Sequence, residues 1–134
     1  MPSGRRHYRL TLSDAVHAHE EQIRLFGGRP GILSVDSVLS AIGRPYSGYH
    51  LRIHSKGSAL LESVIGNHGF VDGNKRTAVV LLFLLYERSG FELVGLGEED
   101  FDLALEEFVV GIAAGQMSRP EIEDWLRPRS VRVA

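Results

Sequence analysis

The segment His68–Arg76 brings five kinds of chemically active side chain together around two glycines. They are the imidazole of His68, the carboxylate of Asp72, the amide of Asn74, the ammonium of Lys75 and the guanidinium of Arg76. An imidazole can take a proton from a hydroxyl near neutral pH, and a carboxylate is a hard oxygen ligand that suits Mg²⁺. The two cations suit phosphate oxygens. The segment therefore predicts a site that binds Mg²⁺ and phosphate beside a general base.

This segment leads into the apolar run Ala78–Tyr86, which predicts a buried helix. The first turn of a helix leaves N–H groups without partners, and its dipole favours an anion. Gly73 lets the backbone approach a ligand closely, and Asn74 tolerates a left-handed conformation. Taken singly, each residue also suits an ordinary polar turn, but together they favour a binding site. A Walker A loop is excluded, because Arg76 stands where that motif requires Ser or Thr.

Length and composition indicate one compact domain. The chain has 134 residues, of which 43% are hydrophobic and 24% charged, so it can bury a core. It has no cysteine, which excludes disulfide scaffolds, thiol nucleophiles and zinc–thiolate sites. The formal net charge of -2 does not suit a protein that binds nucleic acid by charge alone. The run Ala78–Tyr86 is too short to span a membrane, and no apolar stretch follows the basic start. We therefore expect a cytoplasmic protein that binds neither nucleic acid directly nor membrane.

Hydrophobic periodicity predicts an all-α fold, a bundle of five or six helices with at most a short β-hairpin. Residues 1–134 form the single predicted domain, with a core at about 8–127 between a basic N-terminal arm and a basic tail. After the first helix, the predicted helices begin near Ser34, Ser58, Ala78, Glu98 and Ser118. A short extended piece is predicted at Phe91–Val94.

The first predicted helix follows a cap at Thr11 or Ser13 and ends at the glycine pair that follows Phe26. The residues predicted to face the core are Val16, Ile23 and Phe26, whereas His17 and His19 are predicted to face solvent.

The string HGFVDGNKRTA, residues 68–78, resembles the signature of the Fic/Doc superfamily, HxFx[D/E]GNxRxxR. It is more similar to the form of the Doc branch, the death-on-curing toxins, which is HxFxDxNKRTA. The stretches FGGRPGI, SAIGRP and VGIAAGQMS are also similar to Doc landmarks, so the resemblance covers roughly residues 8–127. It implies the compact Fic/Doc helical bundle.

The resemblance also implies a role for each residue of the signature. His68 corresponds to the general base, Phe70 to the core anchor of the loop, Asp72 to the Mg²⁺ ligand, Gly73 and Asn74 to the anion-binding nest and Arg76 to the residue that neutralises phosphate.

Two positions depart from the Fic enzymes that transfer AMP. Those enzymes have a second glycine where this chain has Lys75, and a second arginine where it has Val79. Only two of the 15 basic residues are lysines, so a lysine in this loop is itself a weak functional signal. Doc-like proteins share both departures and bind the nucleotide reversed, with the γ-phosphate presented for transfer.

The resemblance therefore implies a toxin kinase that uses ATP and Mg²⁺, phosphorylates a Ser or Thr hydroxyl of elongation factor Tu and inhibits translation. The first alternative is a Fic-type AMP transferase, which Lys75 and Val79 disfavour. The second is a catalytically idle protein-binding module. The intact signature residues disfavour it, and they are His68, Asp72, Asn74 and Arg76.

Two regions bear on partners. Some Fic proteins inhibit themselves with a helix that reads [S/T]xxxE[G/N], and Ser58–Ser63, SALLES, departs from it at the last position. The resemblance instead implies restraint by a Phd-type antitoxin, whose tail folds into a groove of the toxin. The stretch Tyr46–His54 alternates like a half-exposed strand, which predicts a solvent-exposed hairpin. Because it stands just before the signature, the resemblance implies as an alternative a flap that holds the target chain. The spacing of His50 and His54 in an extended segment does not favour a metal site.

Overall fold

The computed structural model describes residues 6–133, so residues 1–5 of the predicted basic N-terminal arm, and residue 134, lie outside the described residues. Six α-helices and one two-stranded sheet make up the described part of the chain. The helices are α1 (Leu12–Phe26), α2 (Val35–Gly43), α3 (Ile53–Asn67), α4 (Asn74–Arg88), α5 (Phe101–Ala113) and α6 (Arg119–Leu126), and the strands are β1 (Phe91–Leu93) and β2 (Ser130–Arg132). The prediction of an all-α bundle is confirmed.

Capping boxes begin the first and last helices. The Thr11 side chain accepts a hydrogen bond from the Asp14 N–H, and the Asp14 carboxylate accepts one from the Thr11 N–H. Ser118 and Glu121 form the same reciprocal pair at the start of α6. Each box satisfies two N–H groups that would otherwise lack partners at a helix start.

Helices α3 and α4 form the central pair, and α3 also contacts α2, α5 and α6. A Cβ added at Gly57 of α3 would lie 2.9 Å from Cδ1 of Leu82 in α4, so glycine lets the two helices pack closely there. The fully buried leucines between the helices are Leu60, Leu61, Leu81, Leu82 and Leu85.

The apolar run Ala78–Tyr86 is buried on one face of α4 only. Val79 and Val80 are half-buried, and Phe83 is exposed on the other face. Helix α4 has 15 residues. Nowhere in residues 6–133 does a helix have the length and apolar character that a membrane crossing needs.

Strands β1 and β2 pair antiparallel, with Phe91 opposite Arg132. The predicted extended piece at Phe91–Val94 is confirmed in large part, but its partner strand follows α6 and does not form a hairpin with it. Arg129, just before β2, is buried beneath the turn that precedes α5. Its guanidinium donates to the Glu99 carboxylate at 3.0 and 2.6 Å and lies 3.9 Å from the centre of the Trp125 ring. This contact ties the end of the chain to the bundle.

The predicted extended stretch Tyr46–His54 is wrong. A 3-10 turn covers Arg44–Tyr46, residues 47–52 are irregular, and α3 begins at Ile53, five residues before the predicted start at Ser58. The alternating residues span the start of α3. Leu51 lies before the helix and is exposed, whereas Ile53 is the first residue of the helix and is buried, so the two apolar residues do not share one face of a strand. A pattern of period 2 over so few residues does not distinguish a strand from the first turn of a helix.

Candidate active site

His68 ends α3 and begins the site loop, which we define as residues 68–73. Its backbone is left-handed, with φ 48° and ψ 49°. Among the described residues, it is the only non-glycine residue with a positive φ. That conformation costs about 1–2 kcal/mol for a residue with a Cβ, so the surrounding structure must impose it. The turn leaves the imidazole exposed at the edge of a groove.

The site loop is held by the segment 31–34, which precedes α2. Ile32 and Phe70 form an isolated antiparallel bridge, and the Gly69 carbonyl accepts N–H bonds from two residues of this segment at 2.8 and 3.2 Å. A Cβ at Gly69 would lie 2.6 Å from Cγ2 of Val38, so a larger residue would push the loop off α2. The loop that carries the signature is therefore fixed by main-chain contacts from a distant part of the sequence.

The first turn of α4 is open towards the groove. Gly73 precedes the helix with φ 74°, and no side chain caps it. The Asn74 side chain instead accepts a hydrogen bond from the Phe70 N–H at 3.2 Å and donates one to the Phe70 carbonyl at 3.0 Å. The Thr77 N–H donates to the Gly73 carbonyl at 3.0 Å, which leaves the earlier N–H groups of the turn available to an anion.

Asp72 is held by main-chain donors on both carboxylate oxygens. Oδ2 accepts a hydrogen bond from the Arg29 N–H at 3.1 Å, and Oδ1 accepts one from the Gly73 N–H at 2.8 Å. These bonds, with the nearby charges of Arg29 and Arg76, hold the pKa of the Asp72 carboxyl below its usual range. The group is therefore an ionised carboxylate at neutral pH.

A single ionised carboxylate beside an open helix start suits a Mg²⁺ ion that is bound together with phosphate. It does not suit a metal ion whose ligands all come from the protein. Mg²⁺ is commonly bound through one or two carboxylates together with water and substrate phosphates. In the part of the chain that the structure describes, no group of three or more His, Asp or Glu side chains could hold a metal ion by itself. Asp72 therefore fits Mg²⁺ that arrives with phosphate.

Arg76 lies across the end of α1. Its Nη2 donates to the Gly27 carbonyl at 3.2 Å, and its guanidinium lies 5.6 Å from the centre of the Phe26 ring. Phe26 is 66% exposed, so the prediction that it faces the core is wrong. The ring stands at the C-terminal end of α1 and lines the groove, where the cation covers part of its face.

The groove has a volume of about 950 Å³ and lies between the site loop, α4 and α5. Its polar end contains His68, Asp72, Gly73, Asn74, Lys75 and Arg76, which are the six residues that the sequence predicted for the site. Its apolar wall contains Val79, Val80, Leu105, Val109 and Val110, and Asp102 and Glu106 of α5 line the groove beside them. Lys75 is exposed, and its side chain reaches the groove from the solvent side.

His19 was not predicted to belong to the site. It was expected to face solvent beside His17, but only His17 is exposed, and His19 is 3% exposed. Its Nε2 lies 2.7 Å from the Asp72 carbonyl oxygen, and its ring stacks on Phe70 with 4.1 Å between centroids. The signal that could have revealed it is the stripe of small and polar residues on one face of α1, Ala15, Ala18, His19 and Gln22.

Comparison with known proteins places these residues within a known family. The sequence matches the model of the Fic/DOC family over residues 9–86, a range that contains α1, the site loop and most of α4. The chain is similar to the protein kinase doc of Escherichia phage P1, with 26% identity over 122 residues that cover 88% of this chain and 92% of that protein. It is also similar to the toxin Doc of Mycolicibacterium smegmatis (strain ATCC 700084 / mc(2)155), with 32% identity over 83 residues. That second match covers 58% of this chain and 61% of the relative.

Proposed function

The chain belongs to the Doc branch of the Fic/DOC family, and we propose that it is a Doc-type toxin that transfers the γ-phosphate of ATP to a Ser or Thr hydroxyl of a translation protein. One observation carries this proposal: an ionised carboxylate, an open helix start and an exposed imidazole line the same end of one groove. The groove volume of about 950 Å³ lies within the usual range of ligand pockets, so a nucleotide is a suitable occupant.

The proposed reaction uses the chain's residues as follows. His68 accepts the proton of the target hydroxyl, whose oxygen forms a bond to the γ-phosphorus of ATP. The bond from that phosphorus to the β,γ-bridging oxygen breaks, and ADP leaves. Asp72 would hold Mg²⁺, which neutralises phosphate oxygens when it is bound. Arg76 and the N–H groups at the start of α4 stabilise the negative charge of the transferring group.

Two residues near the anion-binding nest of Gly73 and Asn74 favour transfer of the γ-phosphate over transfer of AMP. Val79 places an aliphatic side chain on the groove wall, where a second guanidinium would otherwise bind phosphate. Lys75 adds an exposed cation at the start of α4, in the lining of the groove. Its side chain would leave a phosphate chain less room at the nest than a glycine would. Fic-type AMP transfer remains the second candidate, because the remaining signature residues are common to both chemistries.

The proposed partners are elongation factor Tu as the target and a Phd-type antitoxin. The apolar wall of the groove supports the second partner, since Val79 and Val80 are half-buried and Val110 is 51% exposed. A tail that folds on binding could cover this wall and close the polar end at the same time. Both names come from the likeness to Doc proteins and define what the experiments should test first.

The decisive experiment incubates the purified chain with elongation factor Tu, ATP and Mg²⁺ and measures the intact mass of the factor. We expect a gain of one phosphate, which His68→Ala abolishes and which the matched control His17→Ala retains, because His17 is exposed on α1 away from the reacting groups. A gain of one AMP would establish the alternative chemistry.

A lysate labelled with γ- or α-labelled ATP extends the test to other targets. Label from neither nucleotide would favour the idle binding module. Lys75→Gly is expected to lower the rate of phosphate transfer. An unchanged rate and an unchanged chemistry would contradict the role proposed for Lys75.

A further inference from the structure

We propose that His19 is a positioning residue that sets the orientation of Asp72 and of the start of α4 through the peptide bond between Asp72 and Gly73. This inference rests on the proposed function, because the value of that orientation lies in holding Mg²⁺ and phosphate. His19 lies on α1, 53 residues before the residue that it contacts.

The hydrogen bonds on this peptide bond carry the argument. A carbonyl oxygen only accepts, so the 2.7 Å contact means that His19 Nε2 carries a proton and donates it to the Asp72 carbonyl. The N–H of the same peptide, on Gly73, donates to Asp72 Oδ1 at 2.8 Å. His19 therefore holds the carbonyl of this peptide, and the N–H of the same peptide holds the Asp72 carboxylate. A rotation of the peptide plane would move that carboxylate.

The imidazole is itself immobilised. Its ring lies nearly parallel to the Phe70 ring, at an interplanar angle of 11°, and both side chains are buried. A Cβ on Gly73 would lie 3.8 Å from Cδ2 of His19, so the ring sits directly against the residue that precedes α4. Rotation of the ring would break the stack and the hydrogen bond together.

Two functions of His19 can be separated by substitution. His19→Phe keeps a flat ring to stack on Phe70 but removes the donor to the Asp72 carbonyl. His19→Gln removes the ring but can keep an N–H donor at a similar reach. If His19 only filled space, His19→Phe should change the site less than His19→Gln. If His19 positions Asp72 through its hydrogen bond, His19→Gln should change the site less. His17→Phe on the exposed side of α1 is the matched control.

The first measurement does not depend on activity. Hydrogen exchange of the Gly73 amide should be faster in His19→Phe than in the natural chain, with amides of α6 unchanged and with an unchanged rate at Gly73 in His17→Phe. An unaltered Gly73 rate in His19→Phe would overturn the proposal, even if the chain proved not to be a kinase. Should His19→Phe fail to fold, a raised Gly73 rate in His19→Gln alone would likewise overturn it, because that variant keeps the donor.

The second measurement follows the Mg²⁺ dependence of phosphate transfer. Residues that orient a metal ligand typically contribute about 10–100-fold in metal affinity or activity. We expect His19→Phe to need roughly 10-fold or more additional Mg²⁺ for half-maximal rate, with the KM for the protein acceptor unchanged, and His19→Gln to recover most of that loss. Equal Mg²⁺ dependence in the natural chain and the Phe variant would overturn the proposal. Absence of transfer in the natural chain would instead contradict the proposed function.

Discussion

Replacing Gly28 with alanine should disable the site through Asp72 while leaving the signature itself intact. Gly28 has φ 110°, and a Cβ there would lie 2.8 Å from Oδ2 of Asp72 and 3.2 Å from Cδ1 of Ile23. Ordinary contact begins at 3.4 Å, so the carboxylate oxygen must retreat by 0.6 Å to reach an ordinary contact with the new Cβ. That retreat pulls Oδ2 away from the Arg29 N–H that orients it.

The neighbouring Gly27 provides a control for backbone strain. Gly27 has φ 80° and ψ -174°, a conformation that, like that of Gly28, strains the backbone of any residue with a Cβ. A Cβ at Gly27 would nevertheless meet no atom within 4 Å. We expect Gly27→Ala and Gly28→Ala each to lower the free energy of unfolding by about 1–3 kcal/mol through the backbone. Only Gly28→Ala should also displace the carboxylate. Disturbing the groups that orient a metal ligand typically costs about 10–100-fold in metal affinity or activity.

The assay compares urea unfolding with phosphate transfer for both variants. We expect the two glycine variants to lose similar stability, whereas the rate at limiting Mg²⁺ should fall by about 10–100-fold in Gly28→Ala and by far less in Gly27→Ala. Additional Mg²⁺ should restore part of the rate in Gly28→Ala, because Asp72 remains present but displaced. Equal rates in the two variants at equal stability would contradict this prediction, since they would mean that the position of Asp72 does not depend on the space at Gly28.

Two further predictions concern stability. The Thr77 hydroxyl is buried and has no hydrogen-bond partner among the described residues, so Thr77→Val should raise the free energy of unfolding by about 1 kcal/mol in urea titrations; a loss would reveal a partner for the hydroxyl. The hydrogen bonds from Arg129 lower the pKa of Glu99 from 4.5 to about 2, so its stabilisation is present above pH 4.5 and is lost as the pH falls towards 2. Glu99→Gln should therefore be less stable than the natural chain at pH 7, and the difference in urea midpoint should shrink between pH 4.5 and 2. A difference that does not vary with pH would show that the ionised carboxylate is not its source.

The local parts of this site could be predicted from the sequence because they are contiguous. His68, Asp72 and Arg76 lie within nine residues, and a helix start follows directly, so residue types and spacing suffice to bring them together. The bundle could be predicted for the same reason, since apolar periodicity is a local signal. Periodicity failed where the signal was short, at Tyr46–His54, because an alternating pattern over a few residues is compatible with a helix start.

Hydrophobicity alone predicts the wrong buried face for α1, because it takes no account of side-chain size. Phe26 is strongly apolar, yet it is exposed, while the buried stripe consists of two alanines, a histidine and a glutamine. Small residues let α1 approach α4 closely. The imidazole of His19 is buried on the same face of α1 and stacks on Phe70. The average preference of histidine for the surface would not predict this burial.

The long-range contacts of the site could not be predicted because their partners are main-chain atoms. His19 donates to the carbonyl of Asp72, Arg76 donates to the carbonyl of Gly27, and Asp72 accepts from the N–H of Arg29. Every residue except proline offers the same carbonyl and N–H, so such a contact leaves no requirement on the type of its partner and no pattern in the sequence. Such a contact does require space for the side chain that makes it. At Gly28 this requirement affects the residue type, because a Cβ there would lie 2.8 Å from Oδ2 of Asp72.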